Sequence, residues 1–281
     1  MALRLHEEQL QVSRLTTRIN ESAAAGRKSL VAYLVAGDPT KRSTVKLMHA
    51  LVTSGVDVIE MGVPFSDPEA EGPTIQLAHE RALKGNVSLV DTLTMVAEFR
   101  VSDNTTPIIL MGYLNPIEKM GYEVFAKDAS TAGVDGTIIV NLPPEESGDL
   151  STALRANDID SVYLLAPTTT DERAAFVCSQ SRGFVYYVSL KGTTGSSTLD
   201  IIDVTKKLST FRKISTLPIM VGFGIKDAEI ATQVASVADG VVVGSAIVQL
   251  MADHTEDPEL GIQKVSELMA GMRAGIDSIT S

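Results

Sequence analysis

Short runs of β-branched and aliphatic residues recur at about 30 to 36, 57 to 61, 107 to 112, 136 to 140, 161 to 165, 184 to 189, 218 to 222 and 239 to 244. Each is followed by a polar or Gly/Pro-rich stretch and then by apolar residues at helical spacing, which predicts eight βα units. Ahead of them, residues 6 to 25 carry Leu10, Val12, Leu15 and Ile19 near helical spacing. They predict an extra amphipathic helix that plugs or flanks the domain. A last helical stretch, about 246 to 275, is expected to break near Asp257-Pro258.

The units echo one another in residues as well as in period. Gly55-Val-Asp-Val-Ile-Glu, Gly133-Val-Asp-Gly-Thr-Ile-Ile and Asp158-Ile-Asp-Ser-Val-Tyr-Leu-Leu each set an aspartate just before a strand, as a repeated supersecondary unit would. Continuous apolar strands alternating with helices imply a parallel sheet covered on both faces. Eight of them predict an α/β fold, a (β/α)8 TIM barrel with an additional N-terminal helix. No linker or low-complexity tract divides the chain, so 1–281 is expected to form a single barrel domain. A doubly wound open sheet is the competing fold, but it calls for Gly-x-Gly-x-x-Gly after the first strand, and Gly37-Asp-Pro-Thr does not supply it.

Composition narrows the function classes. With 24 Lys and Arg against 35 Asp and Glu, the net charge is -11, which disfavours nucleic acid and anionic membranes as partners. The single cysteine, Cys178, cannot form an intramolecular disulfide and supplies no thiolate metal framework; in the helix expected over 170 to 181 it reads as a buried structural thiol. Met-Ala-Leu-Arg-Leu-His-Glu-Glu at the start has acids where a signal peptide needs its apolar run. A soluble, cytoplasmic protein is expected.

The chemistry concentrates at Val58 to Pro73, an apolar strand carrying Glu60 that opens into a loop containing Gly62, Pro64, Pro68, Gly72, Asp67, Glu69 and Glu71. A carboxylate in an apolar run has its pKa pushed upward by desolvation, which suits a general acid/base at neutral pH. An ordinary ion pair with a neighbouring Lys or Arg is the alternative for Glu60. Its place at the carboxyl end of a parallel strand favours the active site.

Gly222-Phe-Gly224 and Gly244-Ser245 each end a strand and begin a helix, and Gly192-Thr-Thr-Gly195 follows the sixth strand. Such turns let backbone amides approach an anion, so a phosphorylated substrate is expected. In Phe184-Val-Tyr-Tyr-Val-Ser, alternation sends Tyr186 and Tyr187 to opposite faces without saying which enters the lumen. Lys191 could form a Schiff base, although its Gly/Thr/Ser-rich setting would solvate it. His6, His49, His79 and His254 show no metal-ligand spacing and read as surface or packing residues. No Gly-x-Ser-x-Gly elbow appears.

Glu60-Met-Gly-Val-Pro-Phe-Ser-Asp-Pro with Gly72-Pro-Thr-Ile-Gln76 closely resembles the α subunit of tryptophan synthase. Ala36-Gly-Asp-Pro39, Met111-Gly-Tyr-Leu-Asn-Pro116, Leu142-Pro-Pro-Glu-Glu146, Tyr186 to Gly195, Gly222-Phe-Gly224 and Gly244-Ser245 follow in family order. The resemblance implies a barrel that cleaves indole-3-glycerol phosphate to indole and glyceraldehyde 3-phosphate by a retro-aldol route, without cofactor or metal of its own. It implies Glu60 as the acid/base at the indole carbon, Glu71 as the carboxylate at the indole nitrogen, and Tyr186 beside the substrate. Thr194, Gly195, Gly224, Gly244 and Ser245 would bind the substrate and its phosphate, and Tyr33 would line the indole pocket. A PLP-dependent β subunit is the implied partner, in an α2β2 heterotetramer, with Pro64, Asp67, Asn115 and Pro143 towards the interface.

The chain departs from the family pattern at three positions. Glu71 stands where the family usually has Asp, Glu69 where it has an apolar residue, and Asn141 where Asp is common. A displacement of about 1 Å at a reacting group can cost about 100-fold in rate. These departures keep open a catalytically weak, regulatory subunit, beside the Schiff-base aldolase using Lys191.

Overall fold

The computed structural model of the protein describes residues 13–189, 201–222 and 224–279. The chain begins with α1 (Arg14–Ala24), β1 (Ser29–Val35), α2 (Lys41–Thr53), β2 (Val58–Gly62), α3 (Pro73–Lys84), α4 (Leu89–Arg100), β3 (Ile108–Gly112), α5 (Leu114–Met120), α6 (Tyr122–Ala132) and β4 (Gly136–Ile139). It continues with α7 (Gly148–Ala156), β5 (Asp160–Ser161), β6 (Leu164–Leu165), α8 (Asp171–Gln180), β7 (Val185–Val188), α9 (Ile201–Ile214) and β8 (Ile219–Gly222). Then come α10 (Ala228–Ala235), β9 (Gly240–Val243), α11 (Ser245–Ala252) and α12 (Pro258–Asp277).

The strand pairings are parallel, in the order β5-β4-β3-β2-β1-β9-β8-β7-β6. The two ends of that order are pieces of one extended segment. Ser161 pairs with Thr137 of β4 while Leu164 pairs with Tyr186 of β7, so the ring closes through residues 160–165. Val162 N–H to Thr137 O (2.9 Å) and Tyr186 N–H to Tyr163 O (3.1 Å) carry the ladder across the break. The strand expected at 161 to 165 is thus divided where it changes neighbours, and the closed α/β barrel stands. The final helical stretch divides as expected, with Asp257 capping the start of α12.

Side-chain alternation separates two apolar layers. Leu30, Ala32 and Leu34 face the surrounding helices, together with Tyr187, whose ring meets Phe211 of α9 edge-on at 5.8 Å. Val31, Val58, Ile109, Ile138, Val162, Phe184, Tyr186, Met220 and Val242 face inward, and Leu15 and Ile19 of α1 complete that cluster. The N-terminal helix is therefore a plug. Gly136 and Gly183 leave room for Leu15, whose Cδ2 would lie 3.4 Å and 2.7 Å from a Cβ at those positions.

Charge fixes the same end of the barrel. The aspartates that echo through the sequence sit at strand starts, where Asp57 accepts Leu30 N–H (2.9 Å) and Asp135 accepts Ile108 N–H (2.7 Å). Arginines from distant helices complete them: Arg18 of α1 and Arg273 of α12 reach Asp57 at 2.9 and 3.1 Å, and Arg14 and Arg100 reach Asp135 at 2.5 and 2.8 Å. In the third echo Asp160 takes this part, paired with Arg182 at 3.1 Å and held by the Ser13 hydroxyl at the cap of α1.

Removing one member of a buried, hydrogen-bonded ion pair strands its partners at a cost of about 3–5 kcal/mol. Asp57 is fully buried, whereas Arg212 and Asp239 form a solvent-exposed pair. Asp57→Ala is therefore expected to lower unfolding free energy by about 3–5 kcal/mol, and Arg212→Ala by about 1 kcal/mol or less. Urea denaturation of both variants checks the contrast.

Candidate active site

At the opposite end of the lumen the inward positions become polar. Tyr33 of β1 and Glu60 of β2 are register partners, and both face a cavity of about 510 Å³. Its wall includes Met111, Leu164, Tyr186, Val188 and Val242 from the strands and Val140 just past β4, with Ala70, Glu71 and Gly72 from the loop after β2. Gly224, Gly244 and Ser245 line it from across the mouth. The structure thus brings together Tyr33, Glu60, Glu71, Tyr186, Gly224, Gly244 and Ser245. Thr194 and Gly195, and the alternative nucleophile Lys191, lie outside the described residues.

Glycines in the neighbouring strands make the tyrosines possible. A Cβ on Gly62 would collide with the Tyr33 hydroxyl, and one on Gly222 with the Tyr186 hydroxyl. Each ring therefore leans over the adjacent strand one inward position beyond its register partner, Glu60 for Tyr33 and Met220 for Tyr186. This decides the question left by the paired tyrosines: Tyr186 enters the lumen and Tyr187 packs outside.

Glu60 is 1% exposed, and its Oε2 has no hydrogen-bond partner among the described residues. Burial, then repulsion from Glu71, pushes its pKa from about 4.5 up to about 8. It is therefore chiefly protonated at neutral pH, a carboxylic acid able to donate. No basic side chain pairs with it among the described residues, so the ion-pair alternative does not hold.

Glu71 is half-buried on the loop side. Burial raises its pKa to about 7, opposed by the neighbouring Tyr113 phenol. Tyr113, just beyond β3, also accepts Ala70 N–H (3.0 Å) and stacks on Phe65 at 4.7 Å. It was not singled out among the candidate residues, although it lies in the Met111-Gly-Tyr segment at a strand's carboxyl end. His79 is a packing residue, 1% exposed, whose Nδ1 accepts Phe65 N–H (3.1 Å) from the same loop.

At the far side of the mouth, Gly244 caps α11 without a side-chain hydrogen bond, and Gly224 has a left-handed φ of +75°. The first amides of a helix have no intrahelical partner, and with the helix dipole they favour an anion there. Asp67 and Asn115 are exposed, Pro143 is half-buried and Pro64 is buried. Asn141 accepts Leu114 N–H (2.8 Å) and donates to Asn115 Oδ1 (3.3 Å), a pair of roles that an aspartate could not fill. Glu69 is exposed and adds no buried charge.

A family model described as tryptophan synthase alpha chain matches residues 19–277. The chain belongs to that family. It is 54% identical over 266 residues to the tryptophan synthase alpha chain of Thioalkalivibrio sulfidiphilus, covering 95% of this chain and 100% of the relative. The corresponding chain of Marinobacter nauticus is 50% identical, over 95% of this chain and 99% of its own. A crystal structure of tryptophan synthase subunit alpha from Legionella pneumophila superposes with a TM-score of 0.89 at 45% identity, over 95% and 100% of the two chains.

The raised acid has a consequence for stability. Between about pH 4.5 and 8 the folded chain keeps a proton on Glu60 that the unfolded chain has lost, so this group makes stability fall as pH rises through that window. Glu71 acts with the same sign up to about pH 7. Glu60→Gln is expected to be more stable than the parent at pH 8, with the difference shrinking toward pH 5. Thermal or urea unfolding at both pH values reads it.

Proposed function

We propose that Glu60 and Glu71 divide the acid/base work of the family's reaction, the retro-aldol cleavage of indole-3-glycerol phosphate to indole and glyceraldehyde 3-phosphate in tryptophan biosynthesis. The observation behind this reading is the unpartnered, buried Glu60 carboxyl group in an apolar cavity with an uncapped helix start at its mouth.

The chemistry follows from the substrate. Breaking the bond between the indole ring and the glycerol chain requires the ring to accept an electron pair. Glu60 protonates the ring carbon while Glu71 receives or stabilises the N–H proton, which makes the ring electron-deficient. The carbon–carbon bond then breaks, its electrons restore the aromatic ring while any proton taken by Glu71 returns to the ring nitrogen, and the adjacent hydroxyl becomes the aldehyde as its proton passes to the Glu60 carboxylate. The acid is regenerated. Tyr186 flanks the substrate, Tyr33 lines the indole end, and the amides around Gly224, Gly244 and Ser245 hold the phosphate, with Thr194 and Gly195 completing the cradle.

Indole leaves to a PLP-dependent β subunit, in an α2β2 assembly in the cytoplasm, with Asp67, Asn115 and Pro143 on the facing surface and Pro64 beneath it. The PLP chemistry belongs to that second chain. Among the described residues, no helix is long and apolar enough to cross a membrane.

Glu60→Gln is expected to lower indole formation at least 1000-fold, an order of magnitude for losing an essential proton transfer. Glu71→Ala is expected to lose about 100-fold, with Glu71→Asp retaining the reaction at an altered rate. Turnover of indole-3-glycerol phosphate by the chain alone and with a β subunit is the measurement. Full activity in Glu71→Ala would remove that residue from the mechanism, and trapping by borohydride with a phosphorylated aldehyde would favour the Schiff-base alternative.

A further inference from the structure

Behind Tyr33 stands a second buried ring with restricted options. His79 of α3 is 1% exposed, and burial lowers its pKa to about 4, so it is neutral at physiological pH. Its Nδ1 accepts the N–H of Phe65 at 3.1 Å. A neutral imidazole that accepts at Nδ1 carries its proton at Nε2. That nitrogen lies 3.4 Å from the Tyr33 hydroxyl oxygen, at the long end of hydrogen-bond range.

The phenol is therefore the acceptor in this pair, and its own proton is free to be given elsewhere. Gly62 keeps the hydroxyl from being pushed out of the lumen, since any Cβ there would occupy its place. On the cavity side, Tyr33 is the register neighbour of Glu60, whose Oε2 has no hydrogen-bond partner among the described residues.

We propose that His79 is a positioning residue that fixes the Tyr33 hydroxyl as a hydrogen-bond donor to the Glu60 carboxylate once the acid has given up its proton. The same ring holds the backbone of the loop that carries Glu71, so one side chain ties the loop and the acid together. The inference rests on Glu60 being the acid/base.

The groups facing Glu60 set the direction of the effect. Tyr33 comes from β1, Tyr186 from β7 and Glu71 from the loop after β2, with Tyr113 behind Glu71 and His79 behind Tyr33. Met111, Val140, Leu164 and Val242 contribute only apolar surface. Of these, Tyr33 has its hydroxyl turned by a neighbour, and a donor to the ionised form lowers an acid's pKa.

The experiment measures kcat/KM for indole formation by the full chain against pH. Tyr33→Phe is expected to move the alkaline limb up by about one pH unit and to lower kcat about tenfold. His79→Asn keeps an acceptor near Nδ1 but no donor at Nε2, and should move the limb equally, with no further movement in the double variant. His79→Gln keeps a donor near Nε2 and should return the limb to its original position while raising KM. Nitrogen NMR of the parent should show His79 protonated at Nε2 and bare at Nδ1. A limb that stays or moves down in Tyr33→Phe, failure of Gln to restore it, or a proton on Nδ1 overturns the proposal. Glu60→Gln separates the two readings: if it stays active the acid/base assignment itself fails, whereas an inactive Glu60→Gln beside an unaltered Tyr33→Phe removes only the part given to Tyr33 and His79.

Discussion

A carboxyl group without a partner, enclosed by apolar side chains, raises the energy of its ionised form and invites the surrounding structure to rearrange around it. Glu60 is held in that condition because the barrel around it cannot easily yield. Its own strand is bonded on both sides, to β1 and β3. The far end of the lumen is closed by Leu15 and Ile19 and by arginines on the buried strand-start aspartates. Among the described residues, the buried aspartates at the strand starts are paired with arginines, whereas Glu60 at the other end of the lumen has no partner. The ion-paired and the unpaired acids thus sit at opposite ends of the same barrel, the division of stability and function expected for this architecture.

Steric constraints choose what the unpaired acid meets. Two large rings enter the lumen near Glu60, and each needs a glycine on the next strand. The glycines therefore do more than permit turns: they decide which side chains can cross the cavity. With Tyr33 and Tyr186 placed, the remaining wall is mostly aliphatic, which suits a flat heterocycle, while exposed amides at the mouth suit the charged end of a substrate. Among the described residues the cavity wall contains no cation.

The strand and helix pattern was readable because burial on both faces leaves long apolar runs, and the barrel's repeat multiplies the signal. The fifth strand was harder, since its division at residues 160–165 reflects a change of neighbour and not a change of composition. The aspartate echo was visible, but its purpose was not. Two of the arginine partners of Asp57, Arg18 and Arg273, lie 39 and 216 residues away in sequence, and no local pattern announces them. Glu60 was legible because a lone acid in an apolar strand is rare. Tyr113 was missed because it does not break its local pattern, and His79 read only as a surface or packing residue: the contacts of both are made across the loop after β2.

That loop also explains how the longer Glu71 can stand where an aspartate is usual. A carboxylate's position depends on its backbone as much as on its length. Here the backbone is gripped from two sides, by the Tyr113 hydroxyl on Ala70 N–H and by His79 on Phe65 N–H, while the ring of Tyr113 stacks on Phe65. The same phenol lies beside the Glu71 carboxyl group and opposes the rise of its pKa. With the backbone held in this way, the longer side chain still places its carboxyl group on the cavity shared with Glu60. A side chain whose backbone is held on two sides loses less precision from one added bond than it would on an ungripped loop, where the acid could wander by the length of that bond.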